Sequence, residues 1–319
     1  MSAMGFRERF TQVGEHYKPS EIQDMKNKLI TNLIQGAVLD MMSKVTFDEK
    51  KHRYTRISDG KYLAGVSSIS GLIPKDFLVA WGAKEAVKQF GFFDKVDGES
   101  HEEEMKTLEA KLEELKQYDP VTFLEVLKNA KGAHARKSKD AKDIGTEGHA
   151  WCEKYVLSKI RGTKTPAIPK GELERPLKLF VEWAEANIDE WLASEARVAC
   201  PEVHEFAGTL DAIAITKDGA LSIIDFKFAN QISEEYYLQT AGYCIPFEPY
   251  FEPYKIQFNK RIILRMPKTE TLLEYQPKTR TYKKVPNDFE VREVPTPYDF
   301  DKKTFLALRD TERWINYNK

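Results

Sequence analysis

The first half of the chain changes from a helical to a strand-like pattern and back again. Apolar residues recur every three or four positions from Pro19 to about Lys44, which predicts an amphipathic helix capped by Ser20. Short alternating or apolar runs then predict strands at 45–48, 52–58 and 62–69. From Lys75 the spacing is helical again, so these strands lie between two helical regions.

Four further helices are predicted before the next strands. Segment 101–117 is dense in Glu and Lys at three- and four-residue spacings, which is typical of a solvated helix. A helix from Pro120 to about Asp143 follows, and a separate helix begins with Thr146 as its cap. A longer helix covers 173–194, where the strand-like runs begin.

The second half predicts a small sheet placed between helices. Apolar runs indicate strands at 196–203, 208–216, 220–228 and 261–265, a helix at 233–245, a polar hairpin at 269–285 and a C-terminal helix at 301–317. Such an order is typical of an α/β or α+β core with a small mixed sheet flanked by helices. We divide the chain into an N-terminal helix and β-hairpin region (1–74), a helical arch (75–143) and a core with the C-terminal hairpin and helix (144–319).

Composition narrows the classes of function. With 41% apolar and 12% aromatic residues, the chain can bury a core, which excludes intrinsic disorder. Its 49 basic and 50 acidic residues nearly cancel, so nucleic-acid binding would have to use a local patch. There is no apolar run of roughly 18 residues and no signal-peptide core, so we expect no membrane partner. We expect a cytoplasmic location, in a bacterium or a phage-infected host cell.

The three cysteines, Cys152, Cys200 and Cys244, are widely separated. Their number and spacing exclude a CxxC zinc site and an iron–sulfur cluster on four cysteines, and they predict a reducing compartment. Neither GxxxxGK[ST] nor GxGxxG occurs, so the sequence gives no local support for a nucleotide triphosphatase or a dinucleotide-binding fold.

The run Leu221–Phe228 places charged residues inside an apolar strand. Because side chains alternate along a strand, Asp225 and Lys227 share one face, while Ile224 and Phe226 take the other. An acidic residue two positions before a basic one is common by chance, but charge inside a buried strand is costly unless it is paired or bound to a metal. A purely structural Asp–Lys pair remains an alternative.

Two neighbouring segments add possible metal ligands. If the strand containing Asp211 pairs with the next strand as a hairpin, its carboxylate reaches the same end as Asp225. Two carboxylates that close repel each other unless one is protonated or a cation lies between them, and oxygen ligands suit Mg²⁺ or Mn²⁺. His149 and Glu153, four apart on a helix, share one face; His149 could bind the ion, and Glu153 could orient the imidazole or hold a water. An ordinary turn around Asp211 and a surface His–Glu pair are the alternatives.

The order of these groups carries a resemblance. Gly-Thr-x-x-His149-x-x-x-Glu153, Gly-Thr-x-Asp211, Ile-Ile-Asp225-x-Lys227 and Gln239-x-x-x-Tyr243 together resemble the RecB-like branch of the PD-(D/E)XK nuclease superfamily, over about 145–243. The resemblance implies a restriction-endonuclease-like core. Its implied metal ligands are His149, Asp211, Asp225 and the backbone carbonyl of Phe226, and its implied catalytic lysine is Lys227. It also implies a supporting role for Gln239 and Tyr243, and places Glu195 at an acidic position often found in the family.

A second similarity covers the N-terminal part. His52-x-Tyr54, Asp59-Gly60 and Val66-Ser-Ser-Ile69 look like the leader of the phage-type and mitochondrial single-strand exonucleases of this branch. Those usually show Ser-Val-Thr where this chain has Gly65-Val66-Ser67. The similarity implies that Ser67 and Ser68 contact nucleic acid. Other members carry an iron–sulfur cluster on four cysteines, and three scattered cysteines place this chain outside that group.

Two basic segments provide candidate tracks for a nucleic-acid backbone. The first, 128–143, leads into the helix of His149, and the second, 278–284, surrounds Tyr282, a possible stacking surface. Solvated surface charge is the alternative for both. Because the mostly helical stretch 75–143 precedes the motifs without belonging to the sheet, we expect it to arch over the site and admit a single strand. The candidate DNA-binding cations are Lys131, Arg136, Lys137, Lys139, Lys142 and Lys283.

The expected function is Mg²⁺- or Mn²⁺-dependent hydrolysis of phosphodiester bonds in DNA. The leading hypothesis is an exonuclease acting on single strands or frayed ends in recombination, repair or genome processing, with a recombination or single-strand-binding protein as a partner. One alternative is a structure-specific or restriction-like endonuclease. Another is an inert nucleic-acid-binding protein, against which the intact set of Asp211, Asp225 and Lys227 argues.

Overall fold

The first half of the chain is mainly helical, with three short strands near its start. A computed structural model describes residues 19–75, 77–90, 101–276, 278 and 281–317, so 1–18 of the predicted N-terminal region and 91–100 of the predicted arch lie outside the described residues. Its elements are α1 (Pro19–Lys44), β1 (Val45–Asp48), β2 (Arg53–Arg56), β3 (Tyr62–Gly65), α2 (Val66–Ser70), α3 (Phe77–Val87), α4 (His101–Lys116) and α5 (Pro120–Arg161).

The second half carries most of the sheet. Its elements are α6 (Glu174–Asn187), β4 (Ile188–Cys200), β5 (Phe206–Thr216), β6 (Leu221–Lys227), α7 (Glu235–Cys244), α8 (Glu248–Phe251), β7 (Lys260–Arg265), β8 (Thr271–Gln276), β9 (Thr281–Pro286), β10 (Glu290–Glu293) and α9 (Tyr298–Tyr317). Parallel and antiparallel strands share one sheet with helices on both faces, which confirms the predicted α+β class.

Helix α5 runs without interruption through the point where two helices were predicted. The Asp119 side chain accepts a hydrogen bond from the Thr122 N–H and caps its start, and Gly162 ends it with φ of 62°. The prediction that Thr146 caps a new helix is therefore wrong. Its hydroxyl instead donates to the Lys142 carbonyl one turn earlier, as a threonine inside a helix can.

Tertiary pairing also moves three other predicted boundaries. The helix predicted at 173–194 ends at Asn187, because residues from Ile188 onward pair with β5 over a 13-residue strand. The run 62–69 divides into β3 and helix α2, so it is not one strand. Helix α1 already includes the predicted cap Ser20, since it begins at Pro19.

Strand β5 is the centre of the sheet and has different neighbours along its length. The order is β1-β2-β3-β5-β6-β7-β10, with β4 paired along the other edge of β5. Strand β3 pairs in parallel at Phe206 and Ala207, whereas β6 pairs antiparallel from Ala212 to Ile215. Because both neighbours use one edge, residues 208–211 lie at a fork between β3 and β6.

Two apolar layers hold this fork in place. On one face, Phe206 and Phe305 are completely buried with residues of α1, α2 and α7. On the other face, Phe180 and Phe226 pack with their ring centroids 5.2 Å apart, beneath α5 and α6. Fully burying each of these rings contributes roughly 1.5–3 kcal/mol.

The predicted domain boundaries fall within continuous structure. Strands β1–β3 join the sheet of the C-terminal part through β5, and α5 extends across the predicted boundary at 143. The division into three parts stays a prediction. Over the residues whose positions are known, no helix has both the length and the apolar character that crossing a membrane requires.

Candidate active site

Asp211 and Asp225 face each other where β5 and β6 separate. The last pair of the β5–β6 ladder is Ala212 with Ile224, so the next opposed positions hold the two aspartates. The Asp211 Oδ2 atom accepts a hydrogen bond of 2.6 Å from the Phe226 N–H. This bond fixes the Asp211 side chain across the fork. It also brings Asp211, Asp225 and Phe226 together, while metal binding by the Phe226 carbonyl stays a prediction.

Helix α5 brings an imidazole to the same point. The Nδ1 atom of His149 lies 3.3 Å from Oδ1 of Asp211. The helix approaches the end of β6 closely because the preceding residue is Gly148: a Cβ atom there would lie 2.2 Å from Cζ of Phe228. Gly148, an unspecified position of the motif directly before His149, therefore permits the packing that positions the imidazole.

Glu195 completes a cluster of potential metal ligands. It lies on β4 between Ser194, opposite Ala212, and Ala196, opposite Leu210, which places it across from Asp211. Its φ of 46° is a left-handed conformation that costs a non-glycine residue about 1–3 kcal/mol and is often found at functional sites. His149, Glu195 and Asp211 offer ligand atoms that all lie within 4.8 Å of one another.

Asp225 and Lys227 form a buried ion pair beside this cluster. The Lys227 Nζ atom lies 2.6 Å from Oδ2 of Asp225, whose side chain is only 1% exposed. Neither Asp225 oxygen has a hydrogen bond of acceptable geometry from any residue that the structure describes. A buried carboxylate with unsatisfied oxygens is costly, and a further positive group beside Asp225 would offset this cost.

The ionisable groups have strongly perturbed pKa values. Burial and the nearby Asp211 charge raise the pKa of Glu195 to about 7. Burial, opposed in part by Lys227, raises the pKa of Asp225 to about 6. Burial alone would lower the pKa of Lys227, but the charges of Asp225 and Asp211 outweigh it and raise that pKa. The ammonium therefore stays charged at neutral pH.

The His149–Asp211 pair shifts both of its own pKa values. Burial alone would lower the pKa of His149, but the charge of Asp211 and its hydrogen bond outweigh burial and raise it. Conversely, burial would raise the pKa of Asp211, but His149 and Lys227 outweigh it and lower the value. Asp211 is therefore ionised and able to bind a cation.

These donors fit a hard divalent cation. Asp211 and Glu195 could supply carboxylate oxygens and His149 a nitrogen, and the unsatisfied oxygens of Asp225 lie opposite Asp211. Carboxylate oxygens are the ligands that suit Mg²⁺ or Mn²⁺. Burial and the neighbouring carboxylates Asp211 and Glu195 raise the pKa of the nearby Cys152 thiol well above its usual value, so without a metal ion the thiol stays protonated at neutral pH. A divalent ion would offset the mutual repulsion of the carboxylates and satisfy the oxygens of Asp225.

Helices α7 and α2 place three hydrogen-bonded polar side chains beside the fork. The Gln239 amide donates to the Tyr243 hydroxyl at 2.8 Å and to the Ser67 hydroxyl at 3.3 Å. Gly208 allows this approach, because a Cβ atom there would lie 2.8 Å from Cγ2 of Val66 and 2.9 Å from Cε1 of Tyr243. Gln239 and Tyr243 are thus brought together, as their spacing of four predicts.

One residue at the site escaped the sequence analysis. The ring of Tyr236 lies under the catalytic candidate Lys227, with Nζ 4.8 Å from the ring centroid, a cation–π geometry. Its neighbour Glu235 is buried and pairs with Lys75 at 2.8 Å. Tyr236 precedes Gln239 by three residues on α7, so its helical spacing from a motif residue was the available signal.

The predicted DNA-binding cations occupy several different environments. Lys137 pairs with the buried Glu85 at 2.6 Å, which ties α5 to α3. Arg136 donates to the Asn129 carbonyl of its own helix at 2.6 Å. Lys131, Lys139 and Lys142 are exposed on α5, and Lys283 is exposed on β9.

The remaining candidates line a groove beside the cluster. Ser67, Ser68, Glu153 and Glu195 all line this groove. The groove therefore connects the N-terminal motifs with the acidic residues of the core. No contact with DNA follows from this placement alone, so the predicted nucleic-acid-binding role of the serines stays a prediction.

Comparisons with known proteins give no independent assignment. A scan against models of known protein families finds no match, and a comparison with curated protein sequences finds none either. The residues at the fork and the order of the motifs that carry them are therefore the observations that bear on function.

Proposed function

We propose that the protein is a divalent-cation-dependent nuclease that hydrolyses phosphodiester bonds of DNA, with single strands or frayed ends as preferred substrates. The observation that carries this proposal is the opposed pair of Asp211 and Asp225 at the fork, with Lys227 beside Asp225 and His149 and Glu195 beside Asp211. The order of the sequence motifs supports the same assignment. The RecB-like PD-(D/E)XK relationship is part of the proposal.

The cation would be held by Asp211, Asp225, Glu195 and His149. When bound, Mg²⁺ or Mn²⁺ supplies Lewis-acid polarisation of a phosphoryl oxygen and lowers the pKa of water. Lys227 donates hydrogen bonds to the attacking water or a phosphoryl oxygen and offsets negative charge in the transition state. It acts as a donor because its pKa is raised by Asp225 and Asp211. Water adds to phosphorus and gives up one proton to solvent, one P–O bond breaks, and the departing strand oxygen takes up a proton from solvent.

Two further groups keep the lysine in position. Asp225 holds its ammonium at 2.6 Å, and the ring of Tyr236 covers it on another side. Gln239 ties α7 to α2 beside the fork by donating to the Ser67 hydroxyl, and its hydrogen bond to Tyr243 within α7 fixes the orientation of the amide. Pre-positioned charge of this kind is worth most where water is largely excluded, and the Lys227 side chain is only 14% exposed.

The test is cleavage of end-labelled DNA by the purified full-length chain. Linear single strands, circular single strands, linear duplex and circular duplex are incubated with Mg²⁺, Mn²⁺ or EDTA, and product lengths are followed over time. We expect linear single strands to be degraded with either ion and spared in EDTA. Equal cutting of circular strands would identify an endonuclease instead, and no cutting with either ion would overturn the nuclease proposal.

Three variants tie the activity to the fork. Asp225→Asn and Lys227→Ala are each expected to lower the cleavage rate by about 100-fold or more. The first removes a carboxylate that would hold the cation and that holds Lys227, and the second removes the ammonium that offsets negative charge in the transition state. The matched control is Lys260→Ala, which removes a lysine from the far end of neighbouring β7, opposite Ser222. Equal cleavage by Lys227→Ala and Lys260→Ala would separate the activity from this site.

A further inference from the structure

A groove of about 720 Å³ opens beside the acidic cluster, and apart from Glu195 its lining has no role in the cleavage chemistry described above. It lies between the β1–β2 hairpin, the start of α2 and the middle of β4. Glu195 belongs both to this groove and to the cluster with His149 and Asp211. A ligand in the groove would therefore lie next to the proposed cleavage site. Its volume is within the range of about 300–1,000 Å³ that binds small organic groups.

Flat side chains form one wall of the groove. Phe47 and Tyr54 are cross-strand partners on β1 and β2, with ring centroids 4.5 Å apart. The Arg197 guanidinium carbon lies 4.9 Å from the centroid of Phe47, and the Arg197 side chain is 35% exposed. His52 stands edge-on to Phe47, with centroids 5.9 Å apart. Guanidinium planes and aromatic rings are the surfaces on which unpaired bases stack.

A hydrogen bond to β5 fixes the position of this wall. The Tyr54 hydroxyl shares a hydrogen bond of 2.7 Å with the Thr209 hydroxyl, which ties the hairpin to β5 at the fork. His52 at the hairpin turn has φ of 47°, and Glu195 across the groove has φ of 46°. Both backbone conformations are rare for non-glycine residues, and they cluster where side chains have to be aimed at a ligand.

The charge of the groove favours a base over a phosphate. Arg197, the one arginine among the described residues that line the groove, already pairs with Glu49 at 3.3 Å, and Glu153 and Glu195 line the same space. A wall with this balance would repel the phosphate backbone, whereas an uncharged planar base meets no such penalty. The nearby basic residues of α5 provide the chemistry for phosphates, and the groove provides the chemistry for a base.

We propose that this groove binds an unpaired base of single-stranded DNA next to the phosphate that is cleaved, stacked on the wall formed by Phe47, His52 and Arg197. The proposal rests on the proposed function and explains how that function distinguishes substrates. A base inside a duplex is already stacked and paired, so it must be extruded before it can enter the groove. The site therefore selects single strands and frayed ends.

The test combines abasic scanning of the DNA with substitutions in the wall. Binding of a fluorescent 12-nucleotide single strand is measured by anisotropy with Ca²⁺ in place of Mg²⁺, and a gel confirms that the strand stays intact. In the wild type, one abasic position is expected to weaken binding at least about fivefold. Phe47→Leu and Arg197→Lys should weaken binding of the intact strand by the same factor. In these variants, removing the base at that position should not weaken binding any further.

The two substitutions separate stacking from packing and charge. Phe47→Leu keeps an apolar side chain without a ring, and Arg197→Lys keeps the positive charge without the plane. The matched control is Tyr62→Leu, which removes an aromatic ring on β3 that is 61% exposed and lies on the other face. Tyr62→Leu should bind as the wild type does. If Phe47→Leu proves unfolded by circular dichroism, Arg197→Lys still carries the test.

The outcomes separate this inference from the proposed function. Wild-type binding by both Phe47→Leu and Arg197→Lys, or an abasic scan without a sensitive position, would overturn the base site while leaving any cleavage intact. A wild-type protein that cuts no DNA but shows the coupled loss of binding would retain the base site and overturn the nuclease.

Discussion

Glu195 and Asp225 are each held in a state that costs folding free energy. Glu195 has a left-handed backbone conformation, and Asp225 has carboxylate oxygens without a well-formed hydrogen bond among the described residues. Burial raises the pKa of both carboxyl groups, to about 7 and about 6 respectively. Such costs are often found at functional sites, and a bound divalent cation would offset the cost of burying the two carboxylates.

Replacing Glu195 should reveal this cost as a pH-dependent gain in stability. The pKa of Glu195 is about 7 in the folded protein, against 4.5 for an ordinary glutamate in the unfolded chain. Between these pH values the folded state binds more protons, so the free energy of unfolding falls as the pH rises. In EDTA, Glu195→Gln should therefore exceed the wild type by about 1–3 kcal/mol at pH 8 and match it near pH 4.5. Urea unfolding at both pH values measures this. An equal difference at both would contradict it.

A pair of glycines on helix α5 gives opposite predictions. Gly148→Ala places a Cβ atom 2.2 Å from Phe228, so it should destabilise the protein by about 1–3 kcal/mol and reduce cleavage by displacing His149. Gly145→Ala, one turn earlier, meets nothing within 4 Å and should stabilise by about 0.5–1 kcal/mol through its helix propensity. Urea unfolding and cleavage assays compare the two variants. Equal effects would show that the close approach is not required.

The two halves of helix α5 carry different kinds of residue. Its first part carries the exposed cations and the Lys137–Glu85 pair that ties it to α3, and its second part carries His149. Because the helix is continuous over 42 residues, the position of the cations is coupled to that of the imidazole. A phosphate bound along the first part would lead toward the fork.

The lysines of α5 should divide into DNA-binding and structural groups. Lys139→Ala and Lys142→Ala remove exposed cations, so neither should change the free energy of unfolding. Each should reduce the steepness of the plot of log binding constant against log salt concentration for single-stranded DNA by about 0.7. Lys137→Ala removes a partner of buried Glu85 and should cost about 0.5–1 kcal/mol of stability. Salt titrations and urea unfolding measure the two effects. A stable Lys137→Ala protein with a lowered salt dependence would place Lys137 in the first group.

At the scale of the whole molecule, the sheet brings distant segments to one point. Strand β3 and strand β6 share an edge of β5, and β4 occupies the other edge. The fork between them gathers residues from α5, β4, β5 and β6, while α2 and α7 close it from one face. Any ion bound there would link all of these segments in the folded state only.

Divalent ions should therefore stabilise the whole protein. A ligand at 100 times its dissociation constant adds about 2.7 kcal/mol, which for a chain of this size raises Tm by about 2–5 °C. We expect this shift with Mg²⁺ or Mn²⁺ relative to EDTA in thermal unfolding. Asp211→Asn should abolish it, and the control Asp218→Asn, in an exposed turn pair with Lys260, should retain it. A shift that survives Asp211→Asn would place the ion elsewhere.

Much of the candidate site follows from short-range patterns in the sequence. Alternation along β6 correctly places Asp225 and Lys227 opposite to Ile224 and Phe226, and helical spacing predicts the contact of Gln239 with Tyr243. These relations depend only on backbone geometry over a few residues, where the periods of strand and helix apply directly. The existence of most elements is predictable for the same reason.

Tertiary structure decided what depends on register and on packing between distant segments. Glu195 faces Asp211 only because β4 pairs with β5 in one particular register, and Tyr236 lies beneath Lys227 only because α7 packs at the end of β6. The continuity of α5 through Thr146 and the use of Lys137 in an ion pair likewise depend on partners far along the chain. The periodic pattern of a single helix or strand cannot predict these contacts, because they depend on the shape and charge of segments that are distant in the sequence.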